Sequence, residues 1–241
     1  MTAAFGESPG YVLHARPWRE TSLLLECLMP AQGRVGLIAR GVRAARSPTA
    51  RADLQPLRLL RMRYSAHGEL GRLHAAEVVA LHVLQGRALL SALYVNELLV
   101  RLLPREDPQP RMFQRYDALL QALASGAGGW TLRCFERDLL AAIGYAPQLE
   151  HDCETGEPIR PQQRYVYRSE QGARRRTPHD AVPGIRGAAL LALARGEAPD
   201  AADQRDLRRL LRALISEHLA GRPLAAWTMA PPAGRPPPAA G

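Results

Sequence analysis

The chain has 241 residues, 46% apolar and 23% charged, enough for one large domain or two ordinary ones with their own cores. Its formal charge is +9 and all 32 basic residues are arginine, so no lysine exists for a P-loop, a Schiff base or a Ser–Lys pair. No run of about 18 apolar residues and no basic-then-apolar leader is visible, which predicts a cytoplasmic protein without a membrane span.

The first 80 residues read as strands: "YVLHAR", "TSLLLECLM", "RVGLIAR", "LRLLRMRY" and "ELGRLHAAEV" are short runs separated by Gly, Pro and polar turn residues. Five such runs suit a small closed barrel, with the OB-fold one option. In "LRLLRMRY", Leu60, Met62 and Tyr64 share one face while Leu59, Arg61 and Arg63 share the other. "TSLLLECLM" is apolar on both faces, as expected of a strand in the middle of the barrel. Charge is concentrated here: between Arg34 and Arg63 stand eight arginines against one acid, Asp53. Clustering of this kind predicts a polyanionic partner.

From about Leu81 the period becomes helical. "ALLSALYVNELLVRLL" puts Leu90, Leu93, Tyr94, Leu98 and Leu102 on one stripe, ended by Pro104. "RMFQRYDALLQAL" aligns Met112, Tyr116, Leu119, Leu120 and Leu123, and "WTLRCFERDLLAAIGY" aligns Leu132, Phe135, Leu139 and Ile143 ahead of Gly144. "GIRGAALLALARG" and "DLRRLLRALISEHLAG" give two more helices. Periodicity lapses at 150–183, an irregular insert with one hairpin around "RYVYRSEQGA". The Pro/Ala-rich residues 230–241 read as a disordered tail. The expected organisation is therefore α+β: a five-stranded barrel over residues 1–80, a helical domain over 81–229 interrupted by the insert, and the tail.

"YVLHARPWRETSLLLECLMPAQGRVGLIARGVR", "LQPLRLL", "GELGRLHAAE", "LYVNELLVRLLPREDP", "LRCFERDLLAAIGY", "CETGEPI" and "GRPLAAW" follow one another in an order that resembles the RecO family of bacterial recombination mediators, from Tyr11 to about Trp227. The resemblance implies an N-terminal OB-fold joined to a helical domain. It implies a protein that binds single- and double-stranded DNA, anneals complementary strands and helps load RecA onto gaps coated by single-strand-binding protein, with RecR as partner. A nucleoid association follows from that role.

Guanidinium groups fork onto phosphates and stay charged at any working pH, so arginines can track a nucleic-acid backbone. The set expected to face DNA is Arg34, Arg40, Arg43, Arg46, Arg51, Arg61 and Arg63. The barrel segment holds only Phe5, Tyr11, Trp18 and Tyr64 as aromatics, which predicts contact mainly to the backbone and bases left open for annealing. Family members are understood to dock the acidic, Phe-terminated tail of single-strand-binding protein on the helical domain. That ligand needs an apolar pocket beside arginine, and Leu132 and Arg133, assisted by Arg111 and Arg115, are the expected residues.

Some relatives carry a four-cysteine zinc site in the insert. Here Cys153 has only His151 and His179 near it in sequence, Cys27 and Cys134 are far away, and no metal or other cofactor is expected. Without GxSxG, HExxH or a P-loop, no enzymatic activity is expected. The alternatives are an RNA- or ribosome-associated OB protein and, from another class, a nuclease with carboxylates dispersed in sequence.

Overall fold

A computed structural model describes residues 5–42, 52–65, 70–219 and 222–225. Five strands, β1 (Phe5–Trp18), β2 (Ser22–Met29), β3 (Gly33–Ala39), β4 (Arg58–Ser65) and β5 (Gly71–Leu81), close into a barrel in the order β1-β2-β3-β5-β4. Every pairing is antiparallel except β3 with β5, which gives the OB-fold. β1 begins six residues ahead of the "YVLHAR" run. Its first half, Phe5 to Tyr11, pairs with β4 and its second half with β2, so one long strand closes the barrel. Gly6, Pro9 and Gly10 hide this half from sequence patterning, and barrel closure overrides their low strand propensity.

The alternation in β4 holds: Leu60, Met62 and Tyr64 are buried, while Arg61 and Arg63 are exposed. They join Val12, Leu23, Leu25, Cys27, Met29, Leu37 and Leu73 in the barrel interior. β2 is buried at every position, for a reason the sequence does not carry. Its outward face is covered by the helices, and Leu28, with Tyr11 and Leu13 of β1, belongs to the helical core.

That core is built by α1 (Gly86–Leu102), α2 (Pro110–Ala124), α3 (Gly128–Ala142), α4 (Gly187–Arg195) and α5 (Ala201–His218). Met112, Tyr116, Leu119, Leu120 and Leu123 are buried along α2, as are Leu132, Phe135 and Leu139 along α3. In α1 the buried stripe is rotated from the one expected. Tyr94, Val95, Leu98 and Leu99 are inside, and Leu93 is exposed. Asp200 caps α5 by accepting the N–H groups of Ala202 and Asp203, and Gly196 ends α4 in the left-handed conformation (φ 78°). The insert forms β6 (Arg164–Arg168), β7 (Gly172–Arg175) and β8 (Ile185–Arg186) in a sheet of order β7-β6-β8.

Barrel and helices meet through buried polar groups as well as apolar surface. The Tyr11 hydroxyl bonds Asp117 of α2 and His82, and its ring stands edge-on to Tyr116 at 5.0 Å. Asn96 of α1 donates to the Leu13 carbonyl at 3.0 Å and accepts from Tyr116 at 2.5 Å. Two residues along β2 from Leu28, the Glu26 carboxylate takes Arg34 at 2.7 Å on one oxygen and Arg105 on the other. Arg34 also donates to the Leu103 carbonyl at 2.8 Å, and its own carbonyl accepts the N–H of Glu106 at 2.9 Å. Gly33 (φ 69°) makes this approach possible, since a Cβ there would lie 1.8 Å from the Asp107 carbonyl oxygen. Gly36 similarly leaves room for the Arg105 guanidinium.

Removing one partner from a mostly buried charge network strands the others. Glu26→Ala is therefore expected to lower stability by about 3 kcal/mol, read from the urea midpoint. A loss under about 0.5 kcal/mol would show that the junction does not depend on this carboxylate.

Candidate nucleic-acid interface

The outer face of β3 carries Arg34 and Ile38, because Leu37 and Ala39 point into the barrel, and Arg40 follows immediately past the strand's end. Arg34 and Arg40 lie at opposite ends of the strand, roughly 20 Å apart along it. Their environments differ completely. Arg34 is 14% exposed and held by Glu26 and Leu103. It is a fastener between domains, and its expected place in the DNA-facing set is corrected on that ground. Arg40 is exposed and lines an open hollow with Trp18, Arg19, Glu20, Thr21, Ser22 and Ile38. This hollow sits at the β1–β2 turn, beside the β2–β3 face with which OB-folds hold oligonucleotides.

Arg61 and Arg63 are exposed on the opposite wall, formed by β1, β4 and β5. Arg61 lies between Glu7 at 3.9 Å and Glu77 at 3.5 Å, so its charge is largely balanced. Arg63 lines a separate hollow with Gly6, Glu7 and His74. The barrel therefore does not gather these two arginines with Arg40. Arg43, Arg46 and Arg51 lie outside the described residues; the chain enters their segment at Val42, two residues beyond Arg40.

Two neighbours of Arg40 stand outside the set expected to face DNA. Trp18 is half-buried with its ring at the hollow, and Arg19 occupies the left-handed region (φ 53°), unusual for a residue with a Cβ. Their adjacency in "PWRE" was visible, but only the turn that joins β1 to β2 brings them to Arg40.

On the helical domain, Leu132 and Arg133 of α3 line a pocket of about 110 Å³ with Leu90, Ser91 and Tyr94 of α1, Glu136, and Arg208 and Arg212 of α5. A larger trough extends it past Arg87, Gln204 and Arg205. Of the four residues expected to take a partner's tail, these two are brought together and the other two are not. Arg115 pairs with Asp138 at 3.0 Å on the other flank of α3, and Arg111 is exposed at the start of α2. The α5 arginines take their place. Arg205, Arg208 and Arg212 recur at helical spacing in "RDLRRLLR", a stripe legible in the sequence although its target was not.

Arg133 and the Tyr94 hydroxyl both bond one oxygen of Glu136, each at 2.8 Å. Burial pushes the Glu136 carboxyl above its ordinary value, against the pull of Arg133, Tyr94 and Arg208. Tyr94 is raised far above the usual tyrosine range by burial and by the Glu136 charge.

The insert closes around Asp152. Its carboxylate accepts the N–H groups of Glu154 (2.9 Å), Thr155 (3.2 Å) and Arg175 (2.7 Å), and the Cys153 N–H bonds the Ala173 carbonyl at 2.8 Å. Arg174 and Asp180 form a two-pronged ion pair beside it. Cys153 is exposed, and among the described residues no three His, Cys, Asp or Glu side chains converge as metal ligands. Nor is any helix among them long and apolar enough to cross a membrane.

Burial raises the Asp152 pKa, but the three backbone donors outweigh it and hold the group below its ordinary 3.8. Its stabilisation is thus present above about pH 4 and lost as pH falls through the depressed folded value. Asp152→Asn is expected to cost about 1–2 kcal/mol at neutral pH, and the difference from the parent should shrink in acid. A chelator should leave both melting curves unchanged. A melting point that drops with chelator would point instead to a bound metal.

Comparison with known proteins places these features in a wider group. The family described as Recombination protein O N terminal matches residues 1–82, and that described as Recombination protein O C terminal matches residues 83–228. The chain is 46% identical over 226 residues to the DNA repair protein RecO of Xanthomonas campestris pv. campestris, covering 91% of this chain and 93% of that protein. It is 44% identical over 228 residues to the DNA repair protein RecO of Stenotrophomonas maltophilia strain K279a, covering 92% and 95%.

Proposed function

The chain belongs to the RecO family of DNA repair proteins, and from that premise we propose that it acts as a non-enzymatic recombination mediator. It holds single- and double-stranded DNA on the barrel, pairs complementary strands, and promotes RecA loading on DNA coated by single-strand-binding protein, with RecR as partner. The observation that carries this reading is the hollow at the β1–β2 turn, where Arg19, Arg40 and Trp18 meet beside the entry to the arginine-rich segment 43–51. Phosphates would be taken by guanidinium forks at this rim, and Trp18 offers a surface for one base at most. Bases elsewhere on the strand stay accessible to a complement.

The helical pocket supports the second part of the reading. A peptide ending in acidic residues and Phe would seat its ring against Leu90 and Leu132, with its charges among Arg133, Arg208 and Arg212. This brings coated DNA to the same molecule that carries the barrel.

Annealing of complementary oligonucleotides coated with single-strand-binding protein, without ATP, tests the function directly. Acceleration is expected, and its absence would overturn the reading. An RNA oligonucleotide of equal length should bind more weakly than DNA; a preference for RNA would favour a different role. Replacing Arg19 and Arg40 together with Ala should slow annealing and flatten the salt dependence of single-strand binding by about 1.4 in the log–log slope. An unchanged slope would remove this hollow from the interface.

For the pocket, Arg208→Ala should weaken binding of the acidic tail peptide about tenfold, measured by fluorescence anisotropy. Arg111→Ala should leave it unaltered. The reverse pattern would return the site to α2.

A further inference from the structure

The floor of the helical pocket contains a carboxylate that an anion-binding site should avoid. Glu136 is 1% exposed, and its Oε1 already accepts both Tyr94 and Arg133. Its Oε2 is buried with no hydrogen-bond partner, and Glu136 is one of the residues that line the pocket. Oxygens in that position are rarely left without a donor, because desolvation is then uncompensated. The charged and titratable groups around it are Tyr94 from α1, Arg133 from α3, and Arg208 and Arg212 from α5.

A proton on Oε2 resolves the contradiction. It neutralises the buried acid, leaves Oε1 as acceptor for Tyr94 and Arg133, and turns Oε2 from an unpartnered acceptor into a donor available to a ligand. We propose that the pocket binds a peptide's terminal carboxylate together with one proton, carried on Glu136 Oε2 and donated in a hydrogen bond to the ligand. The inference rests on the reading of this pocket as a tail-binding site and adds to it a proton-linked affinity.

The sign follows from linkage. Burial has already raised Glu136. A second carboxylate beside it disfavours the ionised form further, so the bound complex holds its proton to higher pH than the free protein does. Between those two values binding takes up a proton from solvent, and affinity falls as pH rises. Guanidinium groups do not titrate in the working range, so the pH dependence belongs to Glu136.

Calorimetry of the full chain with a short acidic peptide ending in Phe, in two buffers of different ionisation enthalpy, reads proton uptake directly. About one proton per peptide is expected in the linked range, with affinity falling by up to about tenfold per pH unit. Glu136→Gln supplies an amide N–H where Oε2–H would stand, so it should bind the peptide with no proton uptake and a flat pH profile. Wild-type binding without uptake, with the same pH profile as Glu136→Gln, would overturn the proton linkage and leave the tail site standing. Failure of the peptide to bind wild type at any pH would overturn the tail site itself, and this inference with it.

Discussion

The Glu26 carboxylate, shared by Arg34 of the barrel and Arg105 of the loop after α1, fixes how the two halves of the molecule meet. A single acid holds two guanidinium groups only when both arrive in a set geometry, and the bare backbone at Gly33 and Gly36 provides it. The Tyr11–Asp117 and Asn96–Tyr116 hydrogen bonds add further polar links to the same junction. Since most of these groups are buried and all are partnered, the junction is a continuation of the core. The barrel rim and the helical pocket are thereby carried on one rigid frame.

Charge in this protein divides into two kinds of arginine. Arg34, Arg115, Arg174 and Arg186 hold carboxylates of the same chain and act as fasteners. Arg40 at the barrel rim and Arg208 on α5 instead face open hollows. Without lysine, the same side chain fills both roles, so net charge overstates the surface available to a polyanion. The insert shows the first role most fully. Asp152 gathers three backbone donors and Arg174 grips Asp180, so the loops are held by charge-assisted hydrogen bonds drawn from the chain itself.

The helical pocket shows how a buried acid and a cluster of arginines coexist. Arg133 cannot be at once the partner of Glu136 and a fully free anion receptor, and its position 9% exposed reflects that compromise. The flanking α5 arginines, Arg208 and Arg212, add further positive charge to the same wall. Apolar Leu90 and Leu132 between them make a site suited to a chain end that is both acidic and aromatic.

Two periods are legible in the primary structure alone: alternation such as Leu60–Met62–Tyr64 for a barrel, and the Met112 to Leu123 stripe for a helix. Those patterns follow from local geometry, which each segment carries alone. The primary structure also carries the ordered motifs of the family and the concentration of arginine before Arg63. Which of those arginines face outward depends on how the folded chain packs around them. Arg34 and Arg40 fall at the same phase of the alternation and are equivalent in any pattern, yet one end of β3 is covered by the α1–α2 loop and the other is open. Leu28 faces out of the barrel and is still buried, and Leu93 sits on an apolar helix and is exposed. Burial and free charge are properties of what lies across a gap, supplied by residues distant in the chain, and no local period encodes them.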